Sequence, residues 1–345
     1  MSASVLTADR IAAWLAPRLA GARNVRVETL SQIPGGASRE TYRFRLVYDH
    51  DSGAVDRRLI LRRDPPASLI DTERRIEYAA YDAFHGVPGV PVPQMLWLEN
   101  DPDALDGAFF IAEEISGFES GPMAVLAPPY SEVADKLAER KWTILGEISR
   151  QDPVALGLTE IMEPVAPDQC WGRELDHWEA IIDEDELEPQ PIIRGAIRWL
   201  RAHPPAPAQK ISVVHGDYRS GNFLYDAEGE IHGILDWEMA HLGDPLEDLG
   251  WGLNRIWCWG GDDKRGGLAT RETAIAIWER ASGLFANPAD LHWWELFNCV
   301  KGQGIWISSA KAWMDGSNRE PILAFSAWRM LNTQDRAALE LMERL

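Results

Sequence analysis

Residues 213–222 read VVHGDYRSGN, and residues 233–238 read GILDWE. In each stretch apolar residues lead directly into polar ones, so each polar cluster is predicted to follow a short β-strand. Asp217 and Asn222 lie five positions apart in the first stretch, and Asp236 follows the apolar residues of the second. Carboxylate and amide oxygens suit Mg²⁺, and an aspartate can accept a proton from an attacking hydroxyl, so these residue types fit phosphoryl transfer.

A third fragment follows at residues 243–249, which read GDPLEDL. The spacing from Asp217 to Asn222 is that of the catalytic loop of protein kinases, and Asp236 stands where kinases carry the metal-binding aspartate of Asp-Phe-Gly. With these three fragments in this order, the chain resembles the aminoglycoside phosphotransferase family, also called the choline kinase-like phosphotransferase enzyme family. The resemblance covers about residues 30–251 and is greatest to members described simply as phosphotransferases, including those fused to acyl-CoA dehydrogenases.

The order of predicted elements agrees with the α+β architecture that the resemblance implies. Apolar patterns predict strands at 25–30, 41–48, 57–63, 94–98 and 108–115, with a helix at about 68–84. Seven more helices, one of them at 245–258, are predicted after residue 130, around a short β island within 211–235. We therefore expect a protein kinase-like, two-lobed fold, with a small antiparallel nucleotide-binding lobe at 1–115 and a larger, mostly helical catalytic and substrate-binding lobe at 116–345.

The resemblance assigns a role to each polar residue of the catalytic segment. Asp217 is the expected catalytic base, and Asn222 and Asp236 are the expected magnesium ligands. Arg219 is expected near the transferred phosphate, with pairing to a neighbouring carboxylate as the open alternative. His215 is expected to order the loop by hydrogen bonding rather than to transfer a proton.

The flanking acidic residues are more ambiguous. Glu238 either adds a water-mediated metal contact or is a surface charge. Asp244, Pro245 and Glu247 predict a helix start, with Asp244 as the N-cap, Pro245 as the first helical residue and Glu247 as the partner in a capping box. This helix is expected to support the catalytic loop.

A glycine-containing turn and an arginine are the expected phosphate contacts of the first lobe. Gly35, Gly36 and Ser38 fit the turn of a hairpin that covers phosphates, although an ordinary hairpin turn has the same composition. Kinases place a lysine on the third strand, but no lysine precedes Lys136 in this chain. Arg62 stands at that position, and the related phosphotransferases often have arginine there, so we expect it to replace the lysine.

The following helix and the inter-lobe segment complete the expected nucleotide site. Glu77 is the predicted ion-pair partner of Arg62, with Glu73 as the alternative. The segment 113–117 resembles the family's hinge, and there the backbone groups of Glu113 and Ile115 are expected to hydrogen-bond the adenine edge. The resemblance thus implies ATP and Mg²⁺ as cofactors.

Composition restricts the partners. The formal net charge is −20, and a surface this acidic disfavours nucleic acid and anionic lipid. No apolar run approaches the roughly 18 residues of a membrane span. The three cysteines are widely spaced, as in a reduced cytoplasmic protein. We expect a cytoplasmic enzyme that binds a small hydroxylated molecule.

Three functions remain open from the sequence. The first is a kinase that transfers the γ-phosphate of ATP to a hydroxyl of a small molecule. The second is a catalytically silent nucleotide-binding regulatory module, favoured by the missing lysine. The third is an aminoglycoside-type antibiotic kinase. An acidic acceptor cleft is expected for a polycationic drug, whereas an aromatic cleft, drawn from the sixteen tryptophans, is expected for an amphipathic alcohol or acyl-type substrate.

Overall fold

The computed structural model describes residues 6–33, 39–64, 74–260 and 263–344. The N-terminal part contains α1 (Ala8–Leu15), β1 (Arg23–Ile33), β2 (Glu40–His50), β3 (Gly53–Arg63), α2 (Arg74–His85), β4 (Met95–Glu99) and β5 (Phe109–Glu113). The five strands form one antiparallel sheet in the order β1-β2-β3-β5-β4. The predicted small antiparallel sheet is therefore confirmed, with the predicted helix, α2, between β3 and β4.

The alternation of side chains along β3 determines what this sheet presents to each side. Leu59 and Leu61 are fully buried and pack in one apolar cluster with Ile11 and Leu15 of α1. Because successive side chains of a strand point to opposite faces, Arg62 lies on the face away from this cluster. That face is turned toward α2 and the rest of the chain.

The C-terminal part is mainly helical, as predicted. It contains α3 (Ala134–Arg150), α4 (Cys170–Asp185), α5 (Pro191–Ala202), α6 (Leu246–Gly252), α7 (Arg271–Ser282), α8 (Pro288–Asp315), α9 (Pro321–Phe325) and α10 (Leu331–Met342). Helix α8 is the central element, since residues 293–304 are all buried and α4, α5, α6 and α10 pack against it. Together with the N-terminal sheet this gives the expected α+β fold.

Two short antiparallel strand pairs carry the polar segments of the helical part. Strand β6 (Ser212–Val214) pairs with β9 (His241–Gly243), and β7 (Phe223–Tyr225) pairs with β8 (Ile231–Ile234). The sequence predicts three of these strands but not β9, because His241, Leu242 and Gly243 include only one large apolar residue and form no apolar run.

The helix predicted at 245–258 is shorter than expected. It ends at Gly252, and the side chain of Asn254 then accepts the backbone N–H of Ile256 at 3.1 Å, which favours a tight turn over continued helix. A β-carbon at Gly252 would lie 2.9 Å from the ring of Trp142, so this turn packs closely against α3.

Within the part of the chain that the structure describes, every helix is too short or too polar to cross a lipid bilayer.

Candidate active site

Asp217 lies in the turn between β6 and β7, and three side chains hold its carboxylate. The Nδ2 of Asn222 donates to Oδ2 at 2.8 Å, and the indole Nε1 of Trp251 donates to Oδ1 at 2.8 Å. The Nε of Arg219 lies 3.0 Å from Oδ2 and 3.2 Å from Oδ1. Both carboxylate oxygens therefore have fixed directions, as a positioned proton acceptor requires.

His215 has the structural role that the sequence predicts. Its Nε2 lies 3.0 Å from the carbonyl oxygen of Leu235, and its Nδ1 accepts the backbone N–H of Asp217 at 3.1 Å. One ring nitrogen thus donates and the other accepts, which is the pattern of a neutral imidazole. Burial lowers the pKa of His215 to about 4, so the ring stays neutral near pH 7 and ties two loops together.

Asp248 of α6 fixes the start of the same turn. Its carboxylate accepts the backbone N–H of His215 at 2.6 Å and that of Gly216 at 3.0 Å. Gly216 has φ +85°, and a β-carbon there would lie 2.5 Å from the carbonyl oxygen of Met239. The helix after β9 therefore supports the catalytic turn, and the glycine is required by both backbone angle and space.

The start of α6 differs in two respects from the prediction. The helix begins at Leu246, so Pro245 occupies the cap position and is not the first helical residue. The Oδ1 of Asp244 accepts the backbone N–H of Leu246 at 2.9 Å, which is a capping contact. Glu247, however, is not a capping-box partner: its carboxylate contacts Nζ of Lys301 at 2.9 Å and Nε2 of His241 at 3.1 Å. Lys301 lies on α8, 54 positions away, and His241 lies on β9 just before the helix, so together they draw this side chain away from the helix end.

The two polar loops meet in space. The backbone N–H of Leu235 donates to the carbonyl oxygen of Asn222 at 2.8 Å, which places the segment after β8 beside the segment before β7. Asp236 follows with φ +71°, and its N–H contacts the hydroxyl of Tyr81 at 2.7 Å. The three residues predicted from the motif therefore belong to one site.

The donor atoms at this site fit a magnesium ion. The Nδ2 of Asn222 is used by two oxygens of Asp217, the carbonyl and Oδ2, each at 2.8 Å, so its Oδ1 is directed elsewhere as an available amide oxygen. Burial raises the pKa of Asp236, but Arg62 and Arg219 lower it more, so the carboxyl stays below its ordinary value and ionised. An ionised carboxylate and an amide oxygen are hard ligands of the kind that Mg²⁺ takes.

The ion pair predicted between Arg62 and Glu77 is present. Arg62 also reaches across to the loop after β8, where its Nη2 lies 3.0 Å from Oδ1 of Asp236 and 3.6 Å from Oε2 of Glu238. Glu77 is fully buried, and burial raises the pKa of its carboxyl even though Arg62 and Arg39 oppose the change.

Sequence reasoning misses Arg39. Its side chain is 3% exposed, and it contacts Asp64 at 2.9 Å, Glu77 at 2.8 Å and Glu238 at 3.2 Å. Glu238 is thus neither a surface charge nor isolated, because two arginines face it. The only sequence signal for Arg39 is its position directly after the glycine-containing turn, and that signal does not indicate its partners.

A cleft of about 370 Å³ lies between the sheet and these loops. Its lining includes Arg62, Glu113, Ile115, Asn222 and Asp236, which are all residues that the sequence assigns to the nucleotide or the metal. The N–H of Glu113 already donates to the carbonyl of Gln94 at 2.9 Å, so only its carbonyl oxygen can serve a nucleotide base. Gly35, Gly36, Ser38 and the alternative partner Glu73 lie outside the described residues.

The other side of Asp217 is aromatic. Trp251 contacts Asp217 and packs against Trp257, with ring centroids 5.3 Å apart, and the guanidinium of Arg219 lies 5.3 Å from the centre of the Trp257 ring. Trp259 and Trp306 extend the same cluster. Arg219 therefore pairs with a carboxylate, as the open alternative predicts. Trp251 is a second residue that the motif does not identify, because it lies outside the three motif fragments.

Comparison with known proteins gives the family of this chain. The model of the phosphotransferase enzyme family matches residues 29–284. Acyl-CoA dehydrogenase family member 10 of Mus musculus is 28% identical over 237 residues, which cover 67% of this chain and 21% of that protein. Acyl-CoA dehydrogenase family member 11 of Homo sapiens is 22% identical over 283 residues, which cover 76% and 34%. The chain thus corresponds to a minor part of these relatives.

Solved structures show the same fold. A Ralstonia eutropha protein described as an aminoglycoside phosphotransferase aligns with a TM-score of 0.75 at 22% identity, covering 97% of this chain and 98% of the other. A thermostable mutant of aminoglycoside phosphotransferase APH(4)-Ia, in ternary complex with AMP-PNP and hygromycin B, aligns at 0.57 with 18% identity and coverages of 96% and 99%. The GDP complex of aminoglycoside 2'-phosphotransferase-IIIa aligns at 0.59 with 13% identity and coverages of 96% and 99%. The expected kinase-like fold is confirmed, and the chain belongs to the phosphotransferase enzyme family.

Proposed function

We propose that this protein transfers the γ-phosphate of ATP to a hydroxyl of a small molecule, with Mg²⁺ as cofactor and Asp217 as the base. The observation that carries the proposal is that Asn222 and Asp236 line one cleft while Asn222 also holds the carboxylate of Asp217. Asn222 donates to Asp217 at 2.8 Å, and its carbonyl accepts the N–H of Leu235, the residue before Asp236, at 2.8 Å. A non-catalytic nucleotide-binding module has no need to keep all three groups in register.

The reaction requires few covalent steps from the protein. The acceptor oxygen forms a bond to the γ-phosphorus, the bond from that phosphorus to the β–γ bridging oxygen breaks, and ADP leaves. The acceptor proton passes to Asp217, whose carboxylate Asn222, Trp251 and Arg219 hold in place. The same carboxylate must orient the acceptor hydroxyl and accept its proton. The main contribution of the catalytic loop is therefore to fix the orientation of this carboxylate.

The nucleotide side of the site is assigned to both parts of the chain. Arg62 would contact the phosphates in place of lysine, supported by Glu77. Mg²⁺, which Asp236 and the Oδ1 of Asn222 would hold, supplies positive charge against the phosphate oxygens. The backbone of Glu113 and Ile115 would receive the base, and the turn with Gly35, Gly36 and Ser38 would cover the phosphates. We divide the chain accordingly into a nucleotide-binding lobe, 1–115, and a catalytic lobe, 116–345.

The aromatic cluster beside Asp217 favours an acceptor with an apolar body. Trp251 and Trp257 are buried there, Trp259 and Trp306 are partly exposed beside them, and the guanidinium of Arg219 lies over Trp257. A polycationic aminoglycoside prefers carboxylates around its amines, whereas aromatic rings and an arginine suit an amphipathic alcohol or acyl-type molecule. An aminoglycoside acceptor is the second candidate, because the structural relatives include antibiotic kinases.

A panel assay tests the proposal. Purified protein is incubated with Mg²⁺, ATP or GTP, and hydroxylated metabolites or antibiotics, and release of the nucleoside diphosphate is followed. We expect at least one amphipathic alcohol to stimulate release, and Asp217→Ala and Asp236→Ala to lower it by a factor of about 100 or more. Asp82→Ala is the control, since Asp82 is an exposed residue of α2.

Two results would argue for other functions. Stimulation by aminoglycosides alone would favour the antibiotic kinase. Magnesium-independent nucleotide binding that ignores Asp217→Ala and Asp236→Ala, with no turnover for any alcohol, would favour the regulatory module.

A further inference from the structure

Arg62 contacts the residue that the proposed function assigns to the metal. Its Nη2 lies 3.0 Å from Oδ1 of Asp236. The same nitrogen is 3.6 Å from Oε2 of Glu238, and the other terminal nitrogen pairs with Glu77. A guanidinium carries a full positive charge at all working pH values. One fixed cation therefore already faces the expected metal ligand in this structure.

Arg62 also keeps donor capacity unused. Its Nε is buried and lacks a hydrogen-bond partner among the described residues. The side chain borders the 370 Å³ cleft together with Asn222 and Asp236. A buried N–H without an acceptor is unfavourable, so a ligand with oxygens in this cleft would offer Arg62 better hydrogen bonding than it has here.

Arg39 allows Arg62 to change partners without leaving a buried charge unpaired. The Nη1 of Arg39 lies 2.8 Å from the second oxygen of Glu77 and 3.2 Å from Oε2 of Glu238. If Arg62 turns toward phosphates, Glu77 still faces a guanidinium, and so does Glu238. The buried carboxylate of Glu77 is therefore not left without a cationic partner, which would be strongly unfavourable.

We propose that Arg62 pairs with the carboxylate of Asp236 until nucleotide binds. A free divalent cation must then compete with Arg62 for this carboxylate. The proposal rests on the proposed function, because it takes Asp236 as a metal ligand. The nucleotide phosphates give Arg62 a new partner, Asp236 becomes available, and the metal binds with the nucleotide. By linkage, metal and nucleotide then strengthen each other's binding by the same factor.

Binding of Mn²⁺, a paramagnetic substitute for Mg²⁺, tests this directly. Nucleotide-free protein is titrated with Mn²⁺, and the unbound ion is measured by electron paramagnetic resonance. The wild type should bind Mn²⁺ weakly, and Arg62→Met should bind it at least about tenfold more tightly, since one competing cation is gone. AMP-PNP affinity should fall in the same variant, because Arg62 no longer contacts phosphate. A merely structural role for Arg62 does not predict these opposite changes.

Arg45→Met is the charge-matched control. Arg45 lies in the same sheet and pairs with Glu28 at 3.0 Å on the exposed surface, so its loss changes net charge equally without touching Asp236. Arg62→Gln is a second variant, which removes the charge but keeps a donor for Glu77 in case the methionine variant does not fold. Circular dichroism checks the folding of each.

The outcomes separate the two proposals. Unchanged or weaker Mn²⁺ binding in folded Arg62→Met and Arg62→Gln would overturn the competition while leaving the kinase assignment intact. If Asp236→Asn bound Mn²⁺ as tightly as the wild type does, with AMP-PNP present, Asp236 would not be a metal ligand. That result would overturn both the competition and the proposed metal site.

Discussion

The indole N–H of Trp251 donates a hydrogen bond of 2.8 Å to Oδ1 of Asp217. Asn222 holds the other oxygen at the same distance. Trp251 belongs to α6, the helix whose Asp248 also caps the backbone of the catalytic turn. One short helix therefore positions both the backbone and the side chain of the proposed base.

Replacing Trp251 by phenylalanine should lower kcat by about tenfold while leaving the KM for nucleotide nearly unchanged. The substitution removes one hydrogen bond to a charged group, which is worth about 1.5–3 kcal/mol, and the base loses part of its orientation. Steady-state kinetics measures the effect.

Trp278→Phe is the matched control. Trp278 is also fully buried, and its indole N–H donates to Oγ of Ser149 at 3.1 Å, away from Asp217. The two variants should lose similar stability, but only the change at Trp251 should slow turnover. Equal kcat values for both would show that the bond to Asp217 does not contribute to catalysis.

The sequence predicts the site residues that lie in short local motifs, but it does not predict those that are defined by tertiary contacts. Asp217, Asn222 and Asp236 lie on two short segments, and the order of these segments with residues 243–249 gives the family resemblance that predicts a shared site. Trp251 and Arg39 act through tertiary contacts with residues 34 and 199 positions away, so no local pattern reveals them.

The same reason accounts for the errors in the fold prediction. The five-stranded sheet and most helices follow from periodic apolar patterns. Helix α6 ends early because Asn254 caps a turn and Gly252 packs on Trp142, and Glu247 turns to Lys301 rather than to its own helix end. Tertiary contacts determine these features, and a single sequence does not show which residues will be in contact.

Lys141 should destabilise the fold. It is fully buried in α3, and its amine has no hydrogen-bond partner among the described residues. Burial lowers the pKa of Lys141 to about 7. The amine lies 4.4 Å from the centre of the Trp142 ring, which offsets only part of the cost of burying it. Lys141→Met should therefore stabilise the protein at pH 7 by about 1–3 kcal/mol, because it removes a buried amine that has no hydrogen bond.

Thermal unfolding of Lys141→Met at several pH values checks this. The unfolded lysine titrates near 10.5, above the folded value, so wild-type stability rises as the pH increases from 7 toward 10.5. The advantage of the variant should shrink over that range. Lys136→Met, an exposed position of the same helix, should show no such trend. A destabilised Lys141→Met at pH 7 would indicate that the amine has a partner that the structure does not include.

His241 should give the opposite pH dependence. Its Nδ1 lies 3.0 Å from the carbonyl of Met239, and its Nε2 lies 3.1 Å from Glu247, so both ring nitrogens face acceptors. Burial opposes protonation, but Glu174 and Glu247 outweigh it and raise the pKa of His241 to about 9. The charged ring stabilises the fold fully below pH 6.5, and this contribution is lost as the pH rises through 9.

His241→Gln removes this titration. The stability difference between wild type and variant should be largest near pH 6 and should fall by on the order of 2 kcal/mol by pH 10. Chemical denaturation across this pH range measures it. A difference that stays constant with pH would mean that His241 is neutral in the folded protein.

Gly216→Ala should disrupt the catalytic turn. The alanine would combine a positive φ with a β-carbon 2.5 Å from the carbonyl of Met239, so we expect a loss of more than about 2 kcal/mol and severely reduced turnover. Gly157→Ala separates the two causes, since Gly157 has φ +70° with open space around it. That control should lose only about 1 kcal/mol and keep its activity. Similar losses in both variants would remove the steric argument.

The central claim is that Asp217, Asn222 and Asp236 form one magnesium-dependent phosphoryl-transfer site. The most direct test is ATP hydrolysis, in which water is the acceptor, so the natural acceptor need not be known. The rate is measured for wild type, Asp217→Asn and Asp236→Asn with and without Mg²⁺. We expect slow hydrolysis by the wild type only with Mg²⁺, and a loss of about 100-fold or more in each variant. Hydrolysis that persists without Mg²⁺, or that is equal in all three proteins, would contradict the account.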